Sequence, residues 1–241
     1  MQNPVLNFSP ADVGEPTSDR EERRLKKRTR LRARGVRSMT QAELANSVGG
    51  FFKFLDKEFD RRSREKADVK SMYQRVFRGV PDTFSAFQNV KPIRQPACNH
   101  LEECYRSLDK AGENIEGLVA SFRTIEPYLN WYTHFVHSDS PTPTDEYAEA
   151  IILGPTGLVW SDKVEVGISV MAPRARYPDH RHPPEELYIA LSKGDWRQED
   201  MPWFEPGVGG LVYNTGNMRH SMRSGPVPLF SVWCMTLSAE L

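Results

Sequence analysis

The chain has 241 residues and carries 32 Lys plus Arg against 32 Asp plus Glu, a formal charge of zero that argues against a dedicated nucleic-acid binder. Apolar residues at 39% and aromatics at 10% are enough to bury a real core and exclude wholesale disorder. No apolar run approaches the ~18 residues of a membrane span, the start MQNPVLNFSPADVGEP lacks the regions of a secretory signal, and three cysteines fit reduced thiols in a cytoplasm.

Residues 1–19 read as a loose tail. Residues 20–37 hold ten basic and two acidic residues, a net of +8, so the rest of the chain sums to −8. We read this run as a basic helical arm that docks on the acidic remainder of its own chain or of a second subunit. An anionic partner is the alternative, but no recognition motif follows the run, so nucleic acid is not expected. A homodimer is compatible with such an arm. The expected organisation is a tail and basic arm over 1–37, a helical region over 38–137 and a β-barrel over 138–241.

From Thr40 to about Asn130 the periodicity is helical. Leu44, Val48, Phe51, Phe52, Leu55 and Phe59 recur at spacings of three and four. Gly79 and Pro81 stop this region after Met72, Val76 and Phe77. Further helices are expected from about Ala97 to Lys110 and from about Glu113 to Thr124, ended by Pro127. These stripes are core-forming, and the same holds for Cys98-x-His100-x3-Cys104, whose cysteines sit on an apolar face. His134 and His137 are placed where helices meet barrel.

After the linker-like stretch SDSPTPTDEY come short runs with strand character: AIILGP, GLVWS, KVEVGISVMAP, EELYIALSKG, GGLVYN, HSMRS and PLFSVWCMTL, separated by Gly and Pro turns. Val164, Val166, Ile168 and Val170 alternate with Glu165, Gly167 and Ser169. Seven or eight such strands in about 95 residues have the rhythm of a jelly roll or small barrel. The fold class is therefore α+β, an all-helical N-terminal region packed on a C-terminal antiparallel jelly-roll barrel.

One stretch carries chemistry. His180, His182, Glu186 and Tyr188 have the same parity, so on an extended chain they project to one side, although Pro183-Pro184 interrupts it. His220 follows the turn Asn214-Thr-Gly216-Asn-Met-Arg. Three imidazoles and a carboxylate form a mixed N/O set that suits one divalent metal ion (Zn, Fe, Mn, Co or Ni) and leaves positions open for substrate.

The run His180-x-His182-x3-Glu186 resembles the first signature of the cupin superfamily. Gly216-Asn-Met-Arg-His220 resembles the second, one residue longer in its Gly-to-His gap. The extension to His180-x-His182-x-Pro184-x-Glu186-x-Tyr188 resembles the cupin-type dimethylsulfoniopropionate (DMSP) lyases, longer members of which carry a helical N-terminal region. The resemblance implies His180, His182, Glu186 and His220 as metal ligands, Tyr188 as catalytic base and Tyr177, shortly before the first His, at the substrate. It implies a β-elimination that releases dimethyl sulfide and leaves acrylate, with DMSP as the small-molecule substrate. The sulfonium suits an aromatic face. Candidates are Trp160, Trp196, Trp203, Tyr213 and Trp233, of which Trp233 is preferred because PLFSVWCMTL reads as a core strand. On the residues alone, Tyr188 could equally be a barrel-lining group bonded to a metal ligand. Another cupin enzyme, an Fe-dependent dioxygenase or small-acid isomerase, and a non-enzymatic sensor with a basic arm stay open as alternatives.

Overall fold

The computed structural model describes residues 39–133 and 145–237. The tail, the basic arm, His134 and His137 lie outside them. Helix α1, Gln41–Ser63, starts at a capping box: the Thr40 hydroxyl accepts from the Glu43 N–H, and the Glu43 carboxylate accepts from the Thr40 N–H at 2.9 Å. Its stripe of Leu44, Val48, Phe51, Phe52, Leu55 and Phe59 is buried. The expected continuous region breaks here, because Arg64-Glu65-Lys66 offers nothing to bury. The stripe restarts in α2, Ala67–Gly79, at Val69, Met72 and Val76.

A 3₁₀ turn, Pro96–His100, opens onto the short α3, Leu101–Ser107, where one longer helix was expected. Pro96 suits a first turn because it has no N–H to leave unpaired. Cys98 and Cys104 are buried, and burial pushes their thiols up to about 11 and about 12. They belong to the core. Helix α4, Glu113–Ile125, runs from Gly112, whose φ of +105° falls where glycine is favoured, into a 3₁₀ turn at Pro127. No helix among the described residues is long and apolar enough to cross a membrane.

Eight strands follow: β1 Tyr147–Leu153, β2 Val164–Met171, β3 Arg176–His180, β4 Glu186–Ala190, β5 Asp195–Gln198, β6 Leu211–Asn214, β7 His220–Arg223 and β8 Leu229–Thr236. They form a five-stranded antiparallel sheet in the order β1-β2-β8-β4-β6 and a three-stranded one in the order β3-β7-β5. The run GLVWS forms no regular strand. Val159 makes isolated bridges to Phe87 and Leu153, and the Trp160 N–H donates to the Ala86 carbonyl at 3.0 Å.

Both faces of β2 are committed, in the sense that fixes where the site lies. Val166, Ile168 and Val170 pair across the ladder with Cys234, Val232 and Phe230. The Phe230 ring packs 5.9 Å from Tyr105 and 5.8 Å from Phe122, so this face sits under the helices. The opposite face bears Glu165, Gly167 and Ser169. The Ser169 and Ser231 hydroxyls share a hydrogen bond at 2.8 Å, and a Cβ on Gly167 would come within 2.2 Å of Trp233 Cζ2. The polar half of the alternation therefore faces the interior between the sheets.

Candidate active site

Strand pairing assembles the site from its ends. β3 finishes on His180, β7 begins on His220, and the two are cross-strand partners with ring centroids 4.1 Å apart. Glu186 opens β4, opposite Met235 of β8 and Asn214 of β6. His182 lies in the loop between β3 and β4. That loop is tied to the turn that leads into His220, because Asn217, at φ +61°, donates its N–H to the His182 carbonyl at 2.8 Å.

Each imidazole is aimed by its own backbone. His180 Nδ1 sits 3.0 Å from the Pro178 carbonyl, His182 Nδ1 3.0 Å from that of Pro184, and His220 Nδ1 2.8 Å from that of Met218. A carbonyl only accepts, so Nδ1 carries the proton in all three. In a neutral ring Nε2 then presents a lone pair inward. One ligand atom from each histidine lies within 4.8 Å of the other two. Glu186 Oε2 is 3.3 Å from His182 Nε2 and 3.1 Å from His220 Nε2. Buried His220 Nε2 has no partner with hydrogen-bond geometry.

These features fit a metal ion. Ligands about 2.1 Å from one ion stand roughly 3.0–3.4 Å apart at 90–109°, close to the Glu186 separations. The electrostatics agree. Burial, followed by repulsion from His220, pushes His180 down to about 4, so its ring is neutral at pH 7. Burial also works against ionised Glu186, but the adjoining His182 and His220 outweigh it and hold the carboxyl well below the usual carboxylate range. Burial opposes a charged His182, yet the adjoining Glu186 raises its pKa. Three such rings could hold a metal ion, with Glu186 beside them.

The site opens into a cavity of about 220 Å³, below the roughly 300–1,000 Å³ of drug-sized ligand sites, so it takes a small molecule. His180, His182, Glu186, Tyr188, Tyr177 and Trp233 all line it. The Tyr177 ring stands edge-on to His180 at 4.7 Å. Tyr188 is inward on β4, its phenol bonded to Glu186; burial first and that carboxylate second push its pKa well up. Trp233, its cross-strand partner, presents a buried Nε1 without a hydrogen-bond partner.

The remaining aromatic candidates lie elsewhere. Trp160 is 49% exposed, and Trp196 is fully buried in the core. Trp203 is covered by Arg223, Arg197 and Arg176 at 4.4, 5.0 and 5.6 Å, and the Tyr213 hydroxyl donates to Glu185. The cavity also takes in Tyr132, Tyr147, Glu149, Glu165 and Met235, none of them singled out in the sequence. Tyr147 had been read as the end of the linker. It opens β1, and its parity with Glu149 and Ile151 was the available signal.

Gly216 shows how closely the loops that carry His182 and His220 meet: a Cβ there would stand 2.6 Å from the Pro183 carbonyl oxygen. Gly216→Ala is expected to destabilise the protein by about 1–3 kcal/mol and to weaken metal binding, because the clash falls on backbone between His182 and His220. Thermal melts with and without added metal check this.

Residues 69–231 match the dimethylsulfoniopropionate lyase family. The chain belongs to that family. As a DMSP lyase it is an enzyme that cleaves DMSP. Over 200 residues it is 28% identical to a proposed dimethylsulfoniopropionate lyase, DddL, of Cereibacter sphaeroides, covering 78% of this chain and 82% of that protein. The fold is similar to the DMSP lyase DddQ from Ruegeria pomeroyi DSS-3, at TM-score 0.60, 21% identity and coverage of 80% and 93%. It is also similar to a chain from the crystal structures of the DMSP lyases RdDddP and RnDddQII, at TM-score 0.62, 15% identity and coverage of 81% and 94%. Both likenesses cover about four fifths of this chain, so they take in part of the helical region as well as the sheets.

Proposed function

We propose that this DMSP lyase works by metal-dependent β-elimination, with Tyr188 removing the proton α to the substrate carboxylate. The observation that carries it is the convergence of three imidazole Nε2 atoms on Glu186, with His180, His182 and Glu186 lining one small cavity and Tyr188 two residues beyond Glu186 on the same face of β4. His180, His182, Glu186 and His220 would hold one divalent ion (Zn, Fe, Mn, Co or Ni), which would supply a Lewis-acid centre for the substrate carboxylate and favour the phenolate of Tyr188.

The chain's own groups do the rest. The Tyr188 oxygen takes the α-proton, the C–H electron pair becomes the new C=C bond, and the C–S pair leaves on sulfur as dimethyl sulfide. Acrylate remains, and the proton passes to solvent. No general acid is needed, because sulfonium is already a good leaving group. Tyr177 and Trp233 wall the substrate, with the indole presenting a face to the sulfonium. Trp233 is backed against Gly167, where no side chain competes for space, which supports this reading.

The test is headspace dimethyl sulfide and acrylate from purified protein with DMSP. Metal-loaded protein is expected to release both in equal amounts. A chelator should abolish release and re-addition of one equivalent of ion restore it. Full turnover by metal-free protein would refute the mechanism.

A further inference from the structure

We propose that Gln198 and Asn214 are positioning residues of the metal centre: their side chains form a relay that fixes the spacing of His220 and Glu186 across the gap between the two sheets and keeps Glu186 turned toward the imidazoles. This rests on the metal-ligand reading above and adds what holds that ligand set in shape.

The ligands come from different sheets. His180 and His220 share a rung of the three-stranded sheet, whereas Glu186 stands at the start of β4 in the five-stranded one. Backbone ladders fix distances within a sheet, so the spacing of His220 and Glu186 has to be set by groups that cross between sheets. Pairing supplies each of the two with a neighbour. Gln198, the last residue of β5, lies opposite His220, and Asn214, the last residue of β6, lies opposite Glu186. Gln198 Nε2 donates to Asn214 Oδ1 at 2.8 Å, Asn214 Nδ2 donates to Glu186 Oε2 at 3.4 Å, and that oxygen is 3.1 Å from His220 Nε2. The four side chains thus close a ring. Two of its sides are strand pairs, and the other two are side-chain contacts from one sheet to the other.

The polarity of the relay follows from one backbone group. Gln198 Nε2 also donates to the Tyr213 carbonyl, at 2.6 Å. A carbonyl only accepts, so the Gln198 atom there is the nitrogen, and its second hydrogen calls for another acceptor. That turns the oxygen of Asn214 toward Gln198 and its amide nitrogen toward Glu186. Asn214 is 1% exposed, which leaves its amide little freedom to exchange these partners for solvent. The amide N–H can only donate, and it meets the same Oε2 that lies 3.3 Å from His182 Nε2. This donor favours the ionised carboxylate, the form in which it serves as a ligand, and pins the oxygen that faces two of the imidazoles.

Co²⁺, one of the candidate ions, is the probe, because its visible absorption reports ligand geometry. The full chain and its Gln198→Met, Asn214→Leu and doubly substituted variants are loaded with Co²⁺, and affinity is measured by competition with a chelator. Gln198→Met keeps the length of the side chain and removes both donors. It should weaken Co²⁺ binding at least ~10-fold, the usual cost of losing an outer-shell partner, and shift the spectrum. Asn214→Leu should lose as much or more. The double variant should match Asn214→Leu alone to within about threefold, because Gln198 works through the amide. Gln198→Glu covers the case in which Asn214→Leu does not fold. A new negative charge by itself would tighten a cation. This one has no hydrogen for the Tyr213 carbonyl or Asn214 Oδ1 and turns the amide oxygen to Glu186, so affinity should fall below that of Gln198→Met. Additive losses overturn the relay, and so do melting temperatures that drop while Co²⁺ affinity and spectrum hold, which would leave the pair as a brace between sheets. An unsubstituted chain that takes up no Co²⁺ defeats the metal reading above and this proposal with it, whereas a loaded chain whose variants bind unchanged defeats the relay alone.

Discussion

Tyr188→Phe is expected to lower kcat by at least ~10²-fold, the usual size of a general-base contribution, while the metal content stays at its original value. The substitution removes one oxygen and keeps the ring, which packs 6.3 Å from Trp196 and opposite Trp233. The barrel therefore has no reason to open. Glu186 loses the phenol but retains His182, His220 and the Asn214 amide at 3.4 Å, so the ligand set survives. Steady-state kinetics on DMSP with elemental analysis of the same sample check both halves. Turnover within about threefold of the original would assign the base elsewhere and leave Tyr188 as a wall of the cavity.

His220→Ala is expected to act earlier, on the ion itself. His220 is 1% exposed and faces His180 across the ladder, with Nδ1 committed to the Met218 carbonyl. Losing one of three imidazoles should weaken metal affinity at least ~10²-fold, since even outer-shell changes cost 10–100-fold. Lyase activity should fall with it. A second readout is stability. Saturating metal at 100 times Kd stabilises a native protein by about 2.7 kcal/mol, so added metal should raise the melting temperature of the unsubstituted chain and leave that of the variant unmoved. A variant that keeps one tightly held ion and full turnover would remove His220 from the ligand set.

Much of this architecture was legible in the sequence because periodicity is a local property. The stripe from Leu44 to Phe59 became α1, the β2 alternation became a strand, and Pro127 ended α4 where expected. What escaped did so for identifiable reasons. β3 contains Pro178, which a ladder cannot use as a donor. The structure accommodates it at a register shift between Tyr177 and His180. β5, Asp195–Gln198, is four residues long with one buried side chain, too short to show a period. GLVWS has the composition of a strand, yet Trp160 turns to Ala86 in the helical part instead of joining a sheet.

For the site, the histidines, Glu186 and Tyr188 stood out because they cluster in sequence and because the motif resembles a known one. Tyr132, Tyr147, Glu149 and Glu165 come from three other segments and meet only through pairing. Glu165 was hidden for a further reason. A polar residue in an alternating strand ordinarily points to water, and here that half of the pattern faces the space between the sheets. For the tryptophan and tyrosine candidates, nothing local distinguished a ring that packs elsewhere from one that lines the cavity.

The pairing of His180 with His220 has a bearing on how the chain can vary. Thirty-nine residues separate the two in sequence, yet a single rung of one ladder sets their distance. Segment length between them is thus a free variable. However long the intervening chain, a one-residue slip of β7 against β3 would turn His220 to the other side of its sheet.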